Sequence, residues 1–396
     1  MDLQPKPQPS GADTVALPPE PTYSQLHRIA AAFALQGRIE AITPLGSGNV
    51  NATYLVQTDH CRYVLQRLNT QVFQRPDLVM RNLQVLSSHV AARLDGVRPH
   101  WLIGRRWELP RVVLDRAGAE PWHRCDGGGF WRMLIYVAET RSVDVIEHRQ
   151  QASQLGWGLG VFHQLISDLP VDRLADTLEG FHITPRYLEA YHRALVRTQQ
   201  PSSALARECL AFIRDREADA AILESARARN ELHLRPIHGD PKINNMLLDA
   251  DSGAAVALID LDTVKPGLLH YDIGDCLRSC CNPAGEECRD FEAVHFDLDL
   301  AAAILEGYLQ VAGSLLSPVE LDYITDAVRL ISFELGLRFF TDHLAGNTYF
   351  KVGYPDQNLH RAVVQFRLTA SIEAQASELR QLVCRLAAAH ASSPTE

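Results

Sequence analysis

Residues 236–267, PIHGDPKINNMLLDADSGAAVALIDLDTVKPG, place acids, an amide and a lysine around a strand–turn–strand pattern. The inner part reads as a hairpin, with a strand MLLD, a turn over Ala250–Gly253 and a strand AVALID. An antiparallel hairpin sets its open ends side by side, so Asn245, before the first strand, is predicted to lie next to Asp260, at the end of the second. Asp240, on the loop entering the hairpin, faces the same end. Magnesium takes hard oxygen ligands, keeps most of its waters and needs few protein groups. An amide oxygen from Asn245 and a carboxylate from Asp260 would meet that need. Asp240, near but off the metal, is placed to accept the proton of an attacking hydroxyl. Lys242 brings positive charge to offset that of a transferred phosphoryl group. Asp262 shares a face with Asp260 in an extended segment and is a further candidate ligand. A polar loop before a hairpin is also ordinary turn chemistry; the combined spacing, followed by an apolar strand ending in aspartate, is what points to phosphoryl transfer.

The elements that must position these groups fall into two blocks. Residues 38–68 hold three short strand candidates, 39–45, 53–58 and 62–68, and a helix follows that opens at Pro76–Asp77. WELPRVVLD, the turn CDGGG and FWRMLIYVAE add further strand-like material. After Thr140 the character changes: ASQLGWGLGVFHQLISDL is an amphipathic helix, and 184–232 and 290–390 are mostly helical in period. The expected organisation is a flexible Pro-rich tail over 1–21, a small β-rich lobe over 22–140 and a larger, mostly helical lobe over 141–396. His163, on the apolar face of its helix, reads as a packed, hydrogen-bonded histidine. Asp272 and Asp275 of YDIGD read as braces for the helix that follows.

HGDPKINN resembles the catalytic loop of aminoglycoside phosphotransferases and choline kinases, and IDLD resembles their metal-binding segment. The resemblance implies an α+β, bilobal, protein-kinase-like fold, with ATP and Mg2+ bound in the cleft between the lobes. It makes Asp240 the catalytic base, Asn245 and Asp260 metal ligands, and His238 a structural support. It also casts the turn LGSGNVNATY, with Gly46, Ser47, Gly48 and Asn49, as a cover whose amides meet phosphates. The main chain around Tyr136, Val137 and Glu139 would hold adenine. Where a phosphate-gripping lysine is expected, YVLQRLN offers Gln66, with Arg67 beside it on the opposite face of the strand. Arg81 stands where the next helix would carry a partnering acid, so that pair is replaced or absent. GSGNVNATYLV, YVLQRLNTQVF, IDLDTVKPGLLHYDIGDCLRS and ELGLRFFTDHLAGNTYFKVGYPDQNLHRAVVQFRL together resemble N-acetylhexosamine 1-kinases. That likeness implies phosphorylation of an anomeric sugar hydroxyl, with Arg338 and Tyr349 holding the sugar beside Asp240. The alternatives are another small hydroxyl substrate, such as an amino alcohol or an aminoglycoside, or a catalytically silent nucleotide-binding relative.

The whole chain agrees with a soluble, cytoplasmic small-molecule kinase. Its 396 residues carry 46% apolar and 22% charged side chains and a net charge of −10, which speaks against non-specific nucleic-acid binding. No run is long and apolar enough to span a membrane, and no secretory leader pattern opens the chain. Four of the eight cysteines, Cys276, Cys280, Cys281 and Cys288, cluster without C-x-x-C pairs, and they read as reduced thiols packed near a helix.

Overall fold

The computed structural model describes residues 21–46, 50–96, 98–125, 129–198 and 203–391. The first part of the chain forms α1 (Tyr23–Ala30), β1 (Ile39–Pro44), β2 (Ala52–Thr58), β3 (Arg62–Leu68), α2 (Pro76–Asp95), β4 (Val112–Val113), β5 (His123–Arg124) and β6 (Phe130–Ile135). The strands make one antiparallel sheet in the order β1-β2-β3-β6-β4, with β5 also on β6. The three strands expected over 39–68 are present, whereas WELPRVVLD yields only the two residues of β4. Side-chain alternation divides the sheet into two faces. Tyr54, Tyr63, Leu65, Trp131 and Met133 pack with Phe33 and α1, while Leu68 and Phe130 join Leu83 and Leu86 of α2 in a core that continues into the rest of the molecule.

The second part is mainly helical. It contains β7 (Thr140–Arg141), α3 (Arg149–Ile166), α4 (Thr184–Arg197), α5 (Ala204–Arg214), α6 (Ile222–Ala228), β8 (Arg235–Ile237), β9 (Met246–Asp249), β10 (Ala255–Leu258) and β11 (Lys265–Gly267). There follow α7 (Leu269–Cys280), α8 (Leu298–Ala312), α9 (Pro318–Asp322), α10 (Ile324–Leu344), α11 (Gln357–Ala374) and α12 (Ala376–Ala391). This is a bilobal α+β architecture, a small sheet region against a larger helical part.

Two joints matter for the site. β7 pairs with β9, so the chain leaving the first sheet ties directly to the hairpin. The hairpin forms as the spacing predicts, with β10 antiparallel to β9 and the Ile259 N–H donating to the Asn245 carbonyl at 2.8 Å. The α3 helix packs on the hairpin at Gly158, against Met246 and Ala255, and meets α8 at glycines: a Cβ on Gly156 would fall 1.8 Å from the Ile304 carbonyl oxygen. No helix among the described residues is long and apolar enough to cross a membrane.

Candidate active site

The loop between β8 and β9 is pinned atom by atom. Gly239 has φ +88°, and a Cβ there would sit 2.7 Å from the Thr263 carbonyl oxygen, so the position suits glycine. The buried Asp272 carboxylate, in the first turn of α7, accepts the main-chain N–H of His238 at 2.7 Å and of Gly239 at 2.8 Å. It also accepts from His163 Nε2 at 2.9 Å, while His163 Nδ1 faces the Tyr308 hydroxyl at 3.0 Å. Burial by itself would raise the Asp272 carboxyl; His163 and the other donors hold it below its usual value. His163 is therefore packed and hydrogen-bonded, and Asp272 braces the loop rather than meeting substrate. Asp275 is occupied by an ion pair with Arg278 at 2.8 Å.

The His238 ring supports the same loop. Nε2 donates to the Ile259 carbonyl at 2.9 Å, and Nδ1 accepts the Asp240 N–H at 3.2 Å, a pairing that requires a neutral ring. Burial lowers its pKa accordingly. From the other side, His182 Nε2 donates to the Gly239 carbonyl at 2.7 Å, and Nδ1 meets Glu334 at 3.0 Å. Burial disfavours charge on His182, yet the Glu334 carboxylate holds its pKa above the ordinary histidine value.

On this frame the structure brings Asp240, Lys242, Asn245 and Asp260 together. Lys242 Nζ donates to Asp240 Oδ2 at 2.7 Å. Burial would lower the lysine pKa, but Asp240 and Asp260 raise it above its usual value. Asn245 Nδ2 donates to the Asp240 carbonyl at 2.7 Å, which turns its amide oxygen the other way. Asp260 adopts a left-handed backbone, φ 64° and ψ 54°, at a cost of about 1–2 kcal/mol for an L-residue. Burial, followed by the neighbouring Asp262, pushes its carboxyl up to about 6. A solvent-accessible carboxylate with a raised pKa, next to an amide oxygen that accepts no hydrogen bond from the described residues, fits a hard divalent cation. No group of three or more His, Cys, Asp or Glu converges among the described residues, so such a cation would complete its shell with water and phosphate oxygens.

The predicted residues Arg338 and Tyr349 lie on α10 and in the loop after it. The Arg338 guanidinium lies over three rings, Phe181 at 5.3 Å, Tyr187 at 5.1 Å and Phe350 at 5.5 Å. It makes no ion pair or hydrogen bond with the described residues. Burial opposes its charge, but Tyr187, Tyr349, Glu334 and Asp240 are near enough to raise its pKa. Asp342 accepts the main-chain N–H of Thr348, Tyr349 and Phe350 at 2.8, 2.8 and 2.9 Å and so shapes the loop that presents Tyr349. Tyr349 is 56% exposed. A recess of about 180 Å³ opens beside Lys242, between Asp144, Arg278 and Glu286.

Other expectations change. Arg67 lies on the α1 face of the sheet, 5.9 Å from the Trp131 ring, and so faces away from the cleft. Asp262 has both carboxylate oxygens engaged, Oδ1 by Arg132 and Oδ2 by Asn51 Nδ2 at 2.7 Å, which removes it from the metal set. Arg81 is exposed, and its neighbour Asn82 points inward instead, donating to the Ala175 and Val264 carbonyls at 2.8 and 2.9 Å. In the connection out of β6, the carbonyls of Val137, Ala138 and Glu139 accept from Thr140 Oγ1, Arg106 and Ala250 N–H, and the Tyr136 ring stacks under Arg62. Gly46 has φ +70°; Ser47, Gly48 and Asn49 lie outside the described residues.

A family model described as the phosphotransferase enzyme family, APH, matches residues 41–308. The chain belongs to this phosphotransferase family. The match runs from β1 through α8 and includes the whole pinned loop and hairpin. Solved structures share the fold at low identity. An aminoglycoside phosphotransferase from Alicyclobacillus acidocaldarius is 18% identical with a TM-score of 0.61, over 94% of this chain and 100% of that one. A microcompartment-associated aminopropanol kinase is 14% identical with a TM-score of 0.58, over 90% of this chain and 98% of that one. A spectinomycin phosphotransferase in complex with ADP and spectinomycin is 12% identical with a TM-score of 0.53, over 90% and 98%. Arg338 and Tyr349 lie beyond the residues the phosphotransferase model matches.

Sequence reading overlooked His182, Glu334, Asp342 and Arg132. Arg132 alone left a signal: an arginine inside an apolar strand must find a buried carboxylate, and two aspartates stood at 260 and 262. The other three acquire their roles only from long-range packing.

Proposed function

We propose that this phosphotransferase is an ATP-dependent kinase of a neutral, hydroxyl-rich small molecule, with the anomeric hydroxyl of an N-acetylhexosamine as its acceptor. The carrying observation is the Arg338 guanidinium, unpaired among the described residues, boxed by three rings and within the field of Asp240. A cationic alcohol entering beside it would meet like charge, at about 3 kcal/mol for a separation of about 5 Å and an effective dielectric of about 20. A sugar instead offers lone pairs to the guanidinium and a face to Tyr349.

In the mechanism, the acceptor hydroxyl donates a hydrogen bond to Asp240, which its bond to Lys242 keeps oriented. The hydroxyl oxygen bonds to the γ-phosphorus as the bond from that phosphorus to the departing ADP oxygen breaks, and the proton passes to the Asp240 carboxylate. Asn245 and Asp260 would hold magnesium, which when bound would supply positive charge against the phosphates. Lys242 and Arg338 hold positive charge on the acceptor side.

The test is ADP release over a panel of sugars and amino alcohols, with the phosphorylated position read by phosphorus NMR. Turnover of N-acetylhexosamines, with Asp240→Asn binding nucleotide normally but losing about 10³-fold or more in kcat, supports the reading. Full activity of Asp240→Asn, or preference for amino alcohols, sinks it.

A further inference from the structure

The cleft lacks a lysine on β3, and the arrangement around the vacancy shows what stands in for it. Gln66 and Arg132 are direct cross-strand partners on β3 and β6, on the face toward the cleft, and Thr53 pairs with Gln66 from β2. Arg132 Nε donates to Gln66 Oε1 at 2.9 Å, and Gln66 Nε2 donates to Thr53 Oγ1 at 3.1 Å. Arg132 Nη1 is ion-paired to Asp262 Oδ1, with both side chains only 2% exposed. Asp262 lies two residues past Asp260, and its second oxygen takes the Asn51 amide, whose own oxygen accepts the Asn69 N–H at 3.0 Å. The Arg132 charge also reaches Asp260 itself, lowering the pKa that burial raises. Nη2 makes no hydrogen bond to the described residues and is left for a further acceptor.

We infer that Arg132 is the cation that meets the nucleotide's phosphates, delivered from β6 in place of a lysine at 66, with Asp262 as its anchor. The inference rests on the kinase reading above. The anchor comes from the turn that carries Asp260, not from α2, whose outward Arg81 and inward Asn82 offer no acid. One guanidinium therefore serves two ends: it fixes the turn from which Asp260 projects, and it presents positive charge toward the phosphates beside that turn.

Calorimetric titration of ADP–magnesium and of adenosine separates phosphate contact from general damage. Arg132→Met is expected to weaken ADP binding about 10- to 100-fold, the range for hydrogen bonds to charged groups, while adenosine affinity stays within about twofold. Cross-strand side chains on one face stand about 5 Å apart at Cβ, so Gln66→Lys in the Arg132→Met background should restore most of the lost ADP affinity. Should Arg132→Met fail to fold, Arg132→Gln, neutral but still able to bond Gln66 and Asp262, takes its place. Equal weakening of ADP and adenosine, unchanged ADP affinity, or no recovery on adding Gln66→Lys each overturns the assignment. A parent protein that binds neither ligand counts against the kinase reading instead.

Discussion

Asp260 combines a left-handed backbone with a carboxyl whose pKa is raised by its packed surroundings and by the neighbouring Asp262, and on the proposed reading both suit a cation that arrives with the substrate. Its folded pKa of about 6 exceeds the value of about 3.9 expected when unfolded. The raised pKa therefore stabilises the free protein only at low pH, and that contribution is lost as pH rises through about 6. On the proposed reading, the ionised carboxylate above that point would accept a cation directly, and below it a cation would have to displace a proton. The thermal shift produced by ADP–magnesium is accordingly expected to be larger above about pH 7 than near pH 5, and an equal shift at both would remove Asp260 from the metal set. Gly239→Ala is expected to cost about 1–3 kcal/mol in urea unfolding from its φ of +88° alone, with turnover falling further because Asp240 follows it directly. An unchanged unfolding midpoint would show that the loop can rearrange.

The loop that carries Asp240 borrows its shape from α7, α3 and α10, through Asp272, His163 and the His182–Glu334 pair. Asp272→Ala strands two main-chain donors and a histidine in the interior and is expected to cost about 3–5 kcal/mol, the usual penalty for breaking a buried ionic network; chemical denaturation measures it. The α10–α11 connection depends in the same way on Asp342, which gathers three successive main-chain N–H groups beneath Tyr349. Asp342→Ala is expected to raise the acceptor KM about tenfold or more while leaving the ATP KM near the parent value, since each lost bond to a charged group is worth about 1.5–3 kcal/mol. Equal increases in both constants would mean that the loop serves the whole site rather than the acceptor.

Across the whole molecule, three of the joints near the site hold its elements together. These are the β7–β9 pairing, Asn82 bonding to the carbonyls of Ala175 and Val264, and Asp262 held by Arg132 and Asn51. All three are made by the protein alone, and none includes Asn245 or the Asp260 carboxylate. Chelation of divalent cations is therefore expected to leave the melting temperature of the free protein unchanged while abolishing most of the stabilisation given by ATP. A drop in the free protein's melting temperature on chelation would reveal a resident structural ion that this arrangement does not call for.

The order and type of the central elements, and the meeting of Asn245 with Asp260, were legible in the residues, because they depend on short-range rules: period-two strands, a turn sequence, and the fixed geometry of a hairpin. The opposite faces of Gln66 and Arg67 followed from the same alternation, although which face lay toward the cleft did not. That depended on whether α1 or α2 covered each side, a matter of packing between segments far apart in sequence. Asp262 misled for the same reason: its neighbourhood to Asp260 is local, but its partner Arg132 lies 130 residues away in sequence on another sheet. Chemistry set by neighbours along the chain was written in the sequence; the partners that neutralise, orient and brace it were chosen only when distant strands and helices came into contact.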